Sequence, residues 1–265
     1  MTKQNKTRIF LSPPHLSGEE LELVKEYRPA IPGGDFSYID AIQRRLGNRG
    51  IVLPRVPSSV FNSAFGLRKL EDLFTDPLLR PGLYRELMEL CTEDVIGVGM
   101  QVLRAGGDVM RVVGNVANSG MVSGDFYMEH IFGYEKRYID ALSANGGKVL
   151  FHNCGQSFGL LEAYREMLDG LALESLATPA CGGDVTDLRA ARARLGDNVV
   201  MVGNFDQVHL LREGSAGEIK KAVKEIFEQV GDDPAFIFST SDSIVPGTPK
   251  ENIQILCEAA LECAG

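Results

Sequence analysis

The 265-residue chain carries 36 acidic and 27 basic residues, which gives a formal net charge of −9. Hydrophobic residues make up 44% and charged residues 24% of the sequence, a composition that is typical of globular proteins and excludes general disorder. A surface this acidic repels phosphate backbones, so a nucleic acid is not an expected partner.

The amino-terminal part of the chain has the weakest pattern. Residues 8–12 are predicted to form a short strand, Ser17 opens a helix, and residues 36–46 form a second helix. The first strongly apolar run follows at residues 50–56. The regular part of the fold is therefore expected to start near residue 50.

From that point, short apolar runs alternate with amphipathic helices. Strands are predicted at 50–56, 108–114, 148–152, 171–176, 198–203 and 235–240. Helices are predicted at 81–105, 125–145, 157–168, 184–195, 215–230 and 249–264. Pro81 and Pro249 stand where helices start, and Ser215 with Glu218 has the spacing of a capping box.

This alternation predicts a parallel α/β fold, either a doubly wound sheet or a barrel. Four strands lack in-and-out alternation, which is typical of strands buried on both faces. With residues 8–12 the count is seven strands, one short of a closed eight. In both architectures ligands bind at the carboxyl ends of the strands, so the segments that follow the strands are where chemistry is expected.

The sharpest local feature is His152-x-Cys154 at the end of a predicted strand. Residues two apart on a strand point the same way, and imidazole and thiolate are both good zinc ligands. The alternative is a chance pair in which the cysteine packs as a small apolar residue. Asp242, after the last strand, is a candidate third ligand or the residue of an Asx-turn with Ser243.

Other polar residues also follow strands. Asn204 and Asp206 are suited to positioning a substrate or supporting a metal-bound histidine, or alternatively to capping the strand end. Glu174 lies in a strand expected to be buried, so its charge is satisfied either at the mouth of the sheet or by a lysine of a helix. Asp184 is predicted to be the N-cap of the next helix, and Cys181 lies close enough to join a thiolate site.

Several standard signals are missing from the sequence. It contains no phosphate-binding loop, dinucleotide fingerprint or H-E-x-x-H motif. No apolar run approaches the ~20 residues of a membrane span, and no secretion signal opens the chain. The five cysteines are scattered and odd in number, so we expect free or metal-bound thiols in the cytoplasm.

From about residue 50 the chain resembles the uroporphyrinogen decarboxylase superfamily, which includes corrinoid-dependent methyltransferases. The similar stretches are residues 63–77, His152-x-Cys154-Gly155, 182–184, 203–206 and 239–253. The resemblance implies a (β/α)8 TIM-type barrel with its site at the carboxyl face, and a homodimer. It also implies one domain over 1–265 with a divergent segment at 1–49. Three possibilities stay open for the barrel at that end: it is incomplete, a partner subunit completes it, or the short segment closes it.

The methyltransferase branch of this superfamily holds zinc with an H-x-C pair and a later cysteine. His152 and Cys154 match that pair, and Asp242 stands at the later position. The arginine-bearing segment of the decarboxylases is missing, and Asn115 stands where they have an aspartate. The resemblance therefore implies a zinc-dependent enzyme that moves a methyl group between a small donor and a partner corrinoid protein.

The residues expected in the site are the metal ligands His152, Cys154 and Asp242, together with Asn115, Glu174, Asn204 and Asp206. Two alternatives stay open: a decarboxylase of another carboxylated substrate, and a non-catalytic truncated barrel that acts as a binding subunit.

Overall fold

The computed structural model describes residues 17–27 and 34–265, so the strand predicted at residues 8–12 lies outside the described part of the chain. At its centre is a parallel sheet of five strands in the order β1-β2-β3-β4-β5. The strands are β1 Val109–Val113, β2 Lys148–His152, β3 Ala172–Ser175, β4 Val200–Phe205 and β5 Phe236–Thr240.

Helices precede the sheet and connect its strands. The α-helices are α1 Gly18–Tyr27, α2 Ser37–Leu46, α3 Val60–Phe65, α4 Leu70–Leu79, α5 Pro81–Arg104, α6 Gly124–Phe126, α7 Phe132–Ala144, α8 Leu161–Met167, α9 Leu188–Leu195, α10 Leu210–Glu213, α11 Ala216–Val230 and α12 Lys250–Ala264. Short 3-10 turns cover Gly47–Arg49, Phe158–Leu160 and Pro179–Cys181. Within the described ranges, no helix is long and apolar enough to cross a bilayer.

The register of the sheet places the strand ends at one rim. Val113 lies opposite His152, His152 opposite Glu174, and Ser175 opposite Gly203. Each strand pairs with its predecessor in the chain and runs parallel to it. Every connection is therefore a crossover that leads to the next strand on the same side of the sheet. The predicted parallel α/β architecture is therefore confirmed.

Residues 50–56 are extended but do not form a regular sixth strand. They run beside β1, where the backbone N–H of Arg111 donates to Pro54 O and that of Asp108 to Val52 O. One isolated bridge joins Arg55 to Arg111. Because Pro54 has no N–H to donate, the ladder is interrupted in the middle of the segment. The predicted strand is thus wrong as a continuous element, although its direction and position are as expected.

The two faces of the sheet differ. Met110, Val149, Phe151 and Met201 are almost completely buried beneath the helices. The alternate residues line a cavity of about 410 Å³ on the other face. This cavity is mostly apolar, its lining including Leu53, Val109, Leu150, Ala172, Val202 and Ile237.

The predicted helices 81–105 and 215–230 are confirmed, the second with both hydrogen bonds of its capping box. The predicted helix at 125–145 contains a π-helical turn over Tyr127–Ile131. The helix predicted from residue 184 begins at Leu188, and its N-cap is Asp187. The prediction of Asp184 as that cap is wrong, because its carboxylate is bound elsewhere.

Three buried charged side chains fix helices that pack around the sheet. The carboxylate of Glu135 in α7 accepts from Val60 N and Phe61 N, both at 3.0 Å, and so satisfies the first N–H groups of α3. Burial raises the pKa of Glu135, while these hydrogen bonds oppose the rise. Arg68 is fully buried and pairs through two hydrogen bonds with buried Asp76 of α4.

Candidate metal centre

Three side chains meet at the carboxyl rim of the sheet. His152 is the last residue of β2, Cys154 follows two residues later, and Asp242 comes two residues after β5. One ligand atom of each lies within 4.8 Å of the other two, and His152 Nε2 is 3.9 Å from Asp242 Oδ2. Tetrahedral zinc with these ligands requires ligand–ligand separations of about 3.4–3.7 Å. The nitrogen, sulfur and oxygen donors therefore fit a zinc ion with small side-chain adjustments.

The ring of His152 is oriented from behind by Glu174 of β3. Glu174 Oε2 lies 2.9 Å from His152 Nδ1, and the same oxygen accepts from Arg111 Nε at 2.7 Å. A carboxylate accepts only, so Nδ1 carries a proton and Nε2 is the nitrogen that is directed away from Glu174. This is the arrangement of a metal-ligating histidine backed by a carboxylate.

The charges around His152 also determine its protonation. Burial lowers its pKa, but hydrogen bonds to Cys154 and Glu174 and the charge of Glu174 outweigh burial and raise the pKa to about 9. Burial raises the pKa of Glu174, but its contacts with His152 and Arg111 lower the pKa by more. The net pKa of Glu174 is therefore below that of an ordinary glutamate. In the absence of metal, the two residues form a partly buried ion pair.

Because this ion pair is lost when His152 deprotonates, the metal-free protein should be less stable at high pH. The pKa of His152 in the folded protein, about 9, exceeds the value of about 6.5 in an unfolded chain. The stabilisation is therefore complete below about pH 6.5 and is lost as the pH rises through 9, by about 3 kcal/mol. Urea unfolding with a chelator at both ends of this range measures the effect. The variant His152→Gln should lose this pH dependence, and an unchanged dependence would contradict the assignment.

The sulfur of Cys154 faces an amide. Asn115, which follows β1, directs its Nδ2 to Cys154 Sγ at 3.4 Å. Its own Oδ1 accepts from Asn62 Nδ2 of α3 at 2.8 Å. The structure thus places the sequence-predicted Asn115 directly beside a candidate ligand.

Hydrogen bonds on either side of Asp242 hold the loop that carries it. Asp242 Oδ1 accepts from Ser243 N at 2.6 Å, while Oδ2 faces His152. Ser241, fully buried, donates through Oγ to Asn204 O of β4 at 3.0 Å. The hydrogen bond from Ser243 N comes from the next residue and is not an Asx-turn, which would use the N–H two residues on. It is compatible with the approach to His152, since each contact uses a different carboxylate oxygen. Asn204 is brought to this loop through its main chain.

Asp206 lies in a separate network of hydrogen bonds. Its Oδ1 accepts from Val208 N and His209 N at 2.8 Å each, and from Cys181 Sγ at 3.2 Å. Burial, followed by the contacts with Asp206, raises the pKa of the Cys181 thiol. These contacts correspond to the strand-end capping that the sequence left open as the alternative. Cys181 pairs with Asp206 and not with the candidate ligands His152, Cys154 and Asp242.

Asp184 connects three loops of the rim. Its Oδ1 accepts from Ser157 N and Phe158 N after β2, at 2.8 and 3.0 Å. Its Oδ2 accepts from Ser119 Oγ after β1 at 3.2 Å. The residue itself follows β3, so a single carboxylate ties together the loops of three adjacent strands.

Sequence reasoning missed Arg111 and Asn62. Arg111 had a usable signal, since it is a charged residue inside an otherwise apolar strand, like Glu174. Asn62 had none, because its role depends on how α3 packs against the loop after β1.

The chain is similar to proteins of known family. The family model of uroporphyrinogen decarboxylase (URO-D) matches residues 55–263. The methylcobamide:CoM methyltransferase MtbA of Methanosarcina acetivorans is 23% identical over 190 residues, 71% of this chain and 51% of the relative. A uroporphyrinogen decarboxylase of Thermus thermophilus is 30% identical over 188 residues, 69% of this chain and 49% of the relative.

A solved structure has a similar fold. A methyltransferase from Methanosarcina mazei superposes with a TM-score of 0.73 at 20% identity, covering 87% of this chain and 64% of that one. This likeness confirms the expected barrel-type α/β fold. The chain spans about half the length of the curated relatives that it matches, as their coverages of 51% and 49% show.

Proposed function

Because this chain belongs to the uroporphyrinogen decarboxylase family, we propose that it is a zinc-dependent methyltransferase that moves a methyl group between a small methyl donor and a corrinoid protein. The observation that carries the proposal is the convergence of His152, Cys154 and Asp242 within 4.8 Å at the carboxyl rim. The likeness to MtbA, a methylcobamide:CoM methyltransferase by name, supports the choice of reaction.

The ion would be held by His152 Nε2, Cys154 Sγ and Asp242 Oδ2, with one position left for the substrate. Zinc bound there supplies a Lewis acid that polarises the atom bearing the methyl group. Glu174 holds the proton of His152 at Nδ1, which keeps Nε2 free to act as a ligand. Arg111 balances the charge of Glu174, so that the carboxylate stays ionised.

The oxygen ligand has a consequence for the substrate. A carboxylate donates less charge than a thiolate, so zinc held by Asp242 is a stronger Lewis acid than zinc held by a second cysteine. This favours a donor whose methyl group leaves an ether oxygen or an amine nitrogen. Asn115, Asn204 and Asp206 are proposed to position that donor, and the contact of Asn115 with Cys154 supports its part in the site.

The wider organisation follows the family. We propose one domain over residues 1–265, with a divergent segment at 1–49, that works as a homodimer. The five cysteines are all free, which supports a reducing compartment such as the cytoplasm.

A decarboxylase is the second candidate. The observation in its favour is the higher identity to uroporphyrinogen decarboxylase, 30% against 23% for MtbA. Zinc content separates the two candidates, because the contacts of His152, Cys154 and Asp242 have a purpose only in the first.

Methyl transfer can be tested in reverse, from methylcobalamin to a small acceptor, since a catalyst accelerates a reaction in both directions. The zinc-loaded protein is mixed anaerobically with methylcobalamin, and small thiols, phenols and amines are offered as acceptors. One acceptor class should take the methyl cation and leave cob(I)alamin, which is followed by its absorption spectrum. Removal of zinc with a chelator should stop the reaction, and added zinc should restore it.

The other outcomes identify the alternatives. Release of carbon dioxide from uroporphyrinogen, without any effect of zinc, would favour the decarboxylase. Neither reaction, with native folding and full zinc occupancy, would favour a binding subunit without catalysis.

A further inference from the structure

A chain of two side-chain amides runs from the backbone to the sulfur of Cys154. Val116 N donates to Asn62 Oδ1 at 3.1 Å, Asn62 Nδ2 donates to Asn115 Oδ1 at 2.8 Å, and Asn115 Nδ2 points to Cys154 Sγ at 3.4 Å. Asn62 lies on α3, whereas Val116 and Asn115 belong to the loop after β1. The chain therefore links a helix outside the sheet with the candidate metal centre.

The direction of this chain is set at its far end. A backbone N–H can only donate, so the atom of Asn62 that faces Val116 must be the oxygen. The other end of Asn62 is then the NH₂ group, and the atom of Asn115 that meets it must be an oxygen too. The end of Asn115 that remains for Cys154 is its NH₂ group.

We infer that Asn62 is a positioning residue for the metal centre: it orients the amide of Asn115 so that an N–H, and not a carbonyl oxygen, meets the sulfur of Cys154. The inference rests on the proposed function for its purpose, because a hydrogen bond to a ligand sulfur matters most when that sulfur binds metal. The hydrogen-bond chain itself requires no metal.

The position of Asn62 is itself well defined. The N-terminus of α3 is anchored by the buried carboxylate of Glu135 and by the Ser59 side chain, which accepts from Asn62 N. Hydrogen bonds to ligating atoms fix their orientation, and their loss typically lowers metal affinity by 10–100-fold. Asn62 should therefore influence metal affinity without touching the ion.

The orientation of the Asn115 amide can be tested in the metal-free protein. Its side-chain NH₂ signals in a nitrogen-15 NMR spectrum are assigned by their loss in Asn115→Ala. In the wild type, Cys154→Ala should shift these signals. In Asn62→Asp, which keeps the acceptor for Val116 N but cannot donate, Asn115 turns over, and Cys154→Ala should then have little effect on them.

The consequence for metal is measured by zinc competition with a chelator. Asn115→Ala should weaken zinc binding about 10–100-fold, and Asn62→Ala should weaken it in the same direction. In the Asn115→Ala background, Asn62→Ala should have no further effect, because it acts through Asn115. Asn118→Ala is the control. The Asn118 side chain donates to the main-chain oxygen of Asn115 and has no hydrogen bond to the Asn115 side-chain amide.

The inference is overturned if the response of the Asn115 amide to Cys154→Ala is the same with and without Asn62→Asp. It is also overturned if the effects of Asn62→Ala and Asn115→Ala on zinc affinity are additive. A wild-type protein that binds no zinc but shows the NMR response would refute the metal proposal and support the amide orientation.

Discussion

Replacement of His152 by alanine is expected to remove most of the bound zinc from the purified protein. Structural zinc sites bind with about 10–16 kcal/mol through four protein ligands, which is about 2.5–4 kcal/mol for each. The loss of one of the three protein ligands here should therefore weaken binding about 60- to 1,000-fold. His152 is buried and held by Glu174, so its replacement removes a ligand nitrogen that is already oriented for the ion. Zinc is measured by mass spectrometry on protein purified anaerobically.

A pair of cysteine variants provides the matched control. Cys154→Ser should lose zinc like His152→Ala, whereas Cys257→Ser, on the exposed surface of α12, should keep it. Equal zinc in the wild type, His152→Ala and Cys154→Ser would refute the metal centre.

The second large effect is expected from Arg68, which has no part in the candidate metal centre. Arg68→Met leaves the buried carboxylate of Asp76 without its main cationic partner. Removal of one member of a buried ion pair typically costs about 3–5 kcal/mol of unfolding free energy. We expect a loss of that size in urea unfolding monitored by circular dichroism.

Two further variants show whether burial is the cause. Lys136→Met breaks the exposed pair with Asp140 and should cost less than about 1 kcal/mol. The double variant Arg68→Met/Asp76→Leu should recover much of the lost stability, since both members of the buried pair are then apolar. A loss in Arg68→Met no larger than that in Lys136→Met would show that the pair does not stabilise α4.

Much of the fold could be predicted because its signals are local. Helix α11 is defined by its apolar spacing and by Ser215 and Glu218, all within one segment of sequence. The exceptions depend on contacts from elsewhere. The segment at 50–56 fails as a regular strand because Pro54 meets β1, and Asp184 is drawn from the helix to the loops after β1 and β2.

The candidate site shows the same division. The spacing of His152 and Cys154 on one strand end was sufficient to predict that they converge. Asp242 is distant in sequence. Its place after the last strand made it a candidate third ligand, and the resemblance to a family put it at the position of a known ligand. Asn62 could not be assigned from sequence, since its role exists only through neighbours on other elements. Arg111 had a signal as a charged residue in an apolar strand, but its partner Glu174 could not be read from that signal.

The hydrogen bonds of Asp184 make one unit of three loops at the rim. A new side chain in the loop after β1, β2 or β3 disturbs the other two through this one carboxylate. The loop after β5, which carries Asp242, is held instead to the end of β4 through Ser241. New substrate preferences should therefore arise first by sequence change around Asp242, while the three loops joined by Asp184 stay as a fixed frame.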